Sequence, residues 1–121
     1  MDYKDLQIWQ QGILLCENIY KITKKFPSEE KYNLTSQINK CAVSIPSNIA
    51  EGHGRISPKE FLRFCNISRG SLNELETQII IANKLNLISD QDTKNIREKI
   101  TILMKKLRAF QSKLSQQLIT Q

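Results

Sequence analysis

Apolar residues recur at spacings of three and four through four separate stretches of this chain, and that period belongs to the α-helix. In the first stretch, about 5–25, Leu6, Trp9, Ile13, Cys16 and Tyr20 form the predicted core stripe. A second stripe, Ile8, Leu15, Ile19, Ile22 and Phe26, runs beside it, so the apolar face is wider than a small core requires and predicts a second buried face. Phe26-Pro27 ends the helix, because a residue before proline is pushed out of the α region. The second stretch, about 28–52, opens on Ser28 as cap with Glu29 and Glu30 behind it, and carries Leu34, Ile38, Cys41, Ile45 and Ile49. Pro46 interrupts it; because the apolar period continues to Ile49, a kinked helix is expected there rather than an end. Gly52 and Gly54 mark the stop.

The third stretch, about 58–84, has the clearest start: Ser57-Pro58-Lys59-Glu60 is a capping box with proline at the first helical position. Phe61, Cys65, Ser68, Leu72, Leu75, Ile79 and Ala82 follow on one face, then a turn at Leu85 to Ile88. The fourth, about 89–116, begins at Ser89 with Asp90 and Asp92 in its first turn. It carries Ile96, Ile100, Leu103, Leu107, Phe110 and Leu114, the seam of a left-handed bundle, and its tail after Leu118 is expected to fray. Four amphipathic helices on short turns predict an all-α, antiparallel up-down-up-down four-helix bundle, kinked in its second helix and forming one domain over residues 1–121. With four Gly and three Pro in 121 residues, composition agrees with helix.

Enzyme chemistry finds little to stand on. The single histidine, His53, lies between glycines, and no Glu-x-x-His or His-x-x-x-His pair accompanies it, which removes the di-iron and zinc-hydrolase readings. Cys16, Cys41 and Cys65 are odd in number, without C-x-x-C spacing, and read as reduced thiols packed as small hydrophobes. A non-enzymatic protein with no cofactor and no metal is expected. No apolar run approaches the roughly 20 residues of a membrane span, and the opening MDYKDLQIWQQ has no secretory h-region, so a cytoplasmic protein is expected.

Charge is more informative. The formal net charge is +6, yet residues 1–93 hold eleven Lys/Arg and eleven Asp/Glu. The excess lies on Lys94, Arg97, Lys99, Lys105, Lys106, Arg108 and Lys113, against Glu98 alone. Lys99, Lys106 and Lys113 repeat every seven residues, just before the core positions Ile100, Leu107 and Leu114, so they line one edge of the seam. Such a row can follow a phosphate backbone of RNA or DNA. It lacks interleaved aromatics, which argues against base readout. The bland alternative is a solvated face that keeps the protein in solution. A second candidate, Asn48, Glu51, Gly52, Gly54 and Arg55, is either a recognition corner or a tight turn bridged by Arg55 and Glu51. Arg63 and Arg69 with Gly70 form a third, where a mid-helix glycine suggests close approach of another helix, within the bundle or across an interface. Trp9, the only tryptophan, is expected to pack rather than bind.

The string SIPSNIAEGHGR, Ser44 to Arg55, is unusual. With FPSEEKYNLTSQINKCA before it, SPKEFLRFCNISRGSLNELETQ after it and DLQIWQ at Asp5 to Gln10, it resembles the four-helix bundle family encoded in intervening sequences of bacterial 23S rRNA genes. The resemblance implies an up-down bundle that assembles into a ring-like homopentamer. It also implies kinship with the accessory variability determinants of diversity-generating retroelements, basic barrels that bind nucleic acid and a reverse transcriptase. Partners implied are therefore copies of itself, nucleic acid and a polymerase-type protein. Asn39-Lys40 stands where a basic pair is usual in the family, and Ile38 where a polar residue is expected, which weakens the case for a strong phosphate site on that turn. An alternative remains a protein-interaction scaffold using the extra stripe of the first helix at Ile8 and Ile19, or an element product without a defined partner.

Overall fold

The computed structural model describes residues 2–120. Its elements are a 3-10 turn Tyr3–Asp5, α1 (Gln7–Thr23), a second 3-10 turn Ser28–Glu30, α2 (Leu34–His53), α3 (Pro58–Lys84) and α4 (Asp90–Thr120). No strand occurs among the described residues. Each helix packs on its two neighbours around the ring, α1 on α2, α2 on α3, α3 on α4 and α4 on α1, while the diagonal pairs stay apart. This is the antiparallel four-helix bundle that the periodicity predicts. α2 and α3 share the most extensive contact and α1 and α4 the sparsest.

In α1 the inward face differs from the predicted one. Ile8, Leu15 and Ile19 are buried at 3%, 2% and 0% exposure, whereas Trp9 and Cys16 flank the core and Tyr20 is exposed. The supposed extra stripe is therefore the core stripe, and Ile8 and Ile19 are unavailable to any partner. Two small residues on the buried line, Gly12 and Thr23, hide it from a reading based on apolar content. At Gly12 α2 lies close: a β-carbon added to it would lie 3.2 Å from the Pro46 β-carbon.

α2 starts at Leu34, not at Ser28. No residue of 28–33 is buried, so no packing supports helix there, and the apolar stripe begins only at Leu34. The chain runs through Pro46 as one helix. Serines bridge to this stretch: Ser44 Oγ donates to the Cys41 carbonyl at 2.6 Å, and Ser68 Oγ of α3 donates to the Ile45 carbonyl at 2.9 Å. Gly52 and Gly54 were expected to permit a tight turn, but neither has a positive φ. Gly52 is required for a different reason. A β-carbon there would meet the Phe64 β-carbon at 2.7 Å and Phe61 Cδ1 at 2.8 Å.

Ser57 caps α3 by accepting from the Glu60 N–H at 3.1 Å. Only half of the capping box forms, because the Glu60 carboxylate pairs with Arg63 instead. Beyond Lys84 the chain leaves α3 through Asn86 at φ 63°, the left-handed residue of a Schellman turn closed by Leu87 N–H to the Ala82 carbonyl at 2.9 Å and Asn86 N–H to the Asn83 carbonyl at 3.0 Å. Ser89 accepts from Asp92 N–H at 3.0 Å and starts α4. α4 is helical to Thr120, beyond the expected end near residue 116; Gln121 lies outside the described residues. At one end of the bundle, edge-to-face rings link all four helices: Tyr3 to Trp9, Tyr3 to His53, His53 to Phe61 and Phe61 to Phe110, with centroids 5.3–6.3 Å apart.

Candidate nucleic-acid interface

The seven cations of α4 do not form one row. The core positions Ile96, Ile100, Leu103, Leu107 and Leu114 point inward, which leaves two flanks and a crest. Lys99, Lys106 and Lys113 lie on the flank toward α1: Lys99 lines a groove with Gln11, Leu14 and Ile102, and Lys106 and Lys113 line the next with Leu6 and Phe110. Lys94, Arg97 and Arg108 lie on the flank toward α3. Lys105 stands outside. Arg97 is paired across the helices with Glu76 at 3.4 Å, and the other six have no carboxylate partner among the described residues. The heptad spacing thus places three lysines along one edge over about four helical turns, roughly 21 Å at ~1.5 Å per residue.

The seam of α4 also departs from the predicted one at its C-terminal end. Gln111 is buried at 8% exposure, while Phe110 is only partly buried. Gln111 Nε2 donates to Asn66 Oδ1 at 2.8 Å and to the Leu62 carbonyl at 3.5 Å, and its Oε1 accepts from Arg69 Nη1 at 3.4 Å. Asn66, Arg69, Arg108, Gln111, Ser112 and Ser115 line one groove between α3 and α4. Arg69 and Arg108 were placed in separate candidate sites by the sequence, and the fold brings them to one place. A polar residue on an apolar seam was the available signal for Gln111.

The corner at the end of α2 turns its polar groups on itself. Arg55 binds Glu51 one turn back at 2.9 Å, and Asn48 Nδ2 donates to the Ser44 carbonyl at 2.7 Å. Arg63 forms two hydrogen bonds with Glu60, at 3.1 and 3.3 Å, and this contact holds the Glu60 carboxyl below its ordinary pKa. Arg55 and Arg63 both lie over the Phe64 ring, 4.9 and 4.6 Å from its centre. Gly70 is exposed, with nothing within 4 Å of an added β-carbon, so no helix of this chain approaches it closely. Trp9 packs against the core and the Tyr3 ring.

The thiols are poor nucleophiles. Burial pushes Cys41 and Cys65 up to about 12, Glu74 adding to the effect at Cys41, and burial then Glu17 raise Cys16. No three His, Cys, Asp or Glu side chains converge among the described residues. Among the described residues no helix is long and apolar enough to cross a membrane.

Residues 4–109 match the family model described as 23S rRNA-intervening sequence protein. A crystal structure of a protein of unknown function from the S23 ribosomal protein family of Bacteroides thetaiotaomicron is similar, with a TM-score of 0.79 over 86% of this chain and 97% of that one. At 22% identity that likeness speaks for the fold alone. No curated protein matches the chain.

Proposed function

The chain belongs to the 23S rRNA-intervening sequence protein family, and we propose that it is a non-enzymatic, homo-oligomeric cytoplasmic protein that binds nucleic acid without sequence readout through the basic face of α4. One observation carries this reading: six of the seven α4 cations have no carboxylate partner among the described residues, against a single acid, Glu98, in the same stretch. A mixed surface would neutralise itself, and this one leaves a field for a polyanion. Lysines along one flank contact phosphates and not base edges, so affinity is general and sensitive to salt.

The test is retention of RNA and duplex DNA across a salt series, comparing the native chain with the combined Lys99→Glu, Lys106→Glu and Lys113→Glu variant. Binding to all sequences should weaken together. On duplex DNA the slope of log K against log salt should flatten by about 0.9 for each phosphate the variant no longer neutralises. Equal retention by the two proteins rejects the reading.

A second reading is a scaffold for a protein partner of polymerase type. It is favoured by the groove between α1 and α4, where Leu14 and Ile102 are 57% and 50% exposed. The same groove is the surface a second copy would cover in a homo-oligomer such as a pentamer. A partner held there should resist salt.

A further inference from the structure

The chain has five arginines, and they fall into two groups. Arg55, Arg63 and Arg97 each bind a carboxylate, that of Glu51, Glu60 and Glu76 in turn. Arg69 and Arg108 bind none among the described residues, and these two line the same groove between α3 and α4. No acid lines that groove with them.

Arg69 is held in place and left incomplete. Gln111, fixed by Asn66 and the Leu62 carbonyl, offers Arg69 Nη1 one long contact at 3.4 Å to a neutral oxygen. The Arg69 Nε–H is buried and has no partner among the described residues. A guanidinium carries five donors and no acceptor, and with one long contact at Nη1 this one keeps donors for an incoming acceptor. Across the groove stand a second guanidinium, Arg108, and the exposed hydroxyls of Ser112 and Ser115. Two planar forks with hydroxyl donors and no carboxylate suit a tetrahedral oxyanion.

We propose that the Arg69–Arg108 groove binds a phosphate group. This rests on the nucleic-acid reading, in which the group is a backbone phosphate seated on the opposite flank of α4 from Lys99, Lys106 and Lys113. A phosphorylated small molecule offers the same chemistry, and the test separates the two sources.

The full chain is compared with Arg108→Gln, Arg69→Gln, the double variant and Arg69→Lys. Arg108 is exposed, so its replacement leaves the fold intact; far-UV circular dichroism and the Tm check the others. The first probe is inorganic phosphate at constant ionic strength against chloride, read as the shift of the arginine Nε–H resonances by NMR. The second is a single-stranded RNA of about two dozen nucleotides, read as retention at fixed salt. Phosphate should shift the Arg69 resonance in the native chain, and Arg108→Gln should abolish that shift. The double variant should lose RNA affinity by at least about tenfold, as expected for charge-assisted hydrogen bonds. Arg69→Lys, which keeps charge but not the fork, should bind RNA no better than Arg69→Gln. A phosphate shift with no RNA retention by the native chain leaves the groove as a site for a phosphorylated small molecule and removes the nucleic-acid reading. RNA retained equally by native and double variant, with no phosphate shift, overturns the groove and leaves the lysine flank standing.

Discussion

The α2–α3 seam and the α1–α4 edge are built from different materials. Between α2 and α3, small residues let the backbones come close: Cys41, Ser44, Cys65, Ser68, Ser71 and Gly52. Their polar atoms bond across the gap, as Cys41 Sγ does to the Ser71 carbonyl at 3.1 Å and Ser44 Oγ with Ser71 Oγ at 2.8 Å. Between α1 and α4, contact is sparse, Leu14 and Ile102 are half-exposed, and lysines line the opening. One interface is finished within the chain. The other has apolar surface and charge left over, which is where surface serves something outside the chain.

The difference gives graded expectations for stability. Leu72, fully buried in α3, should cost about 3 kcal/mol on change to alanine, within the range of cavity-forming substitutions, read by chemical denaturation. A value under about 1 kcal/mol would mean that the seam is not the tight half of the bundle. Gly52→Ala should cost about 2 kcal/mol by overpacking against Phe64 and Phe61, read as a lower Tm. At the other edge, Leu14→Ser should change the chain's own stability by less than about 0.5 kcal/mol, as exposed sites do. Its effect belongs in sedimentation, where the mass of any oligomer should fall. An unchanged mass would detach the open edge from self-association.

The fold was legible because four helical periods with caps at Ser57 and Ser89 admit few arrangements. What the sequence hid was rotation and length. In α1 two apolar stripes compete, and packing against α2 and α4 turns Ile8, Leu15 and Ile19 inward. Ser28 with two glutamates reads as a helix start, yet without buried residues behind it the chain makes a 3-10 turn. For the candidate site, the lysine row was visible as a heptad. The Arg69–Arg108 groove was not, because it depends on the register of α3 against α4, and Gln111 sets that meeting point from an apolar seam. Gly70 shows the converse: glycine in a helix suggested a close neighbour, and the chain supplies none.

The linked rings at the end of the bundle bear on the order in which the molecule comes together. Tyr3 and Phe110 lie near opposite ends of the chain, and the rings between them, His53 and Phe61, come from α2 and α3. Loop-closure entropy opposes the distant contacts, Tyr3 with His53 and Phe61 with Phe110, until the helices between them are in place. Trp9 is the only tryptophan and touches the first ring of the series. Its ring also packs against the core, so its fluorescence reports how the start of α1 seats in the bundle.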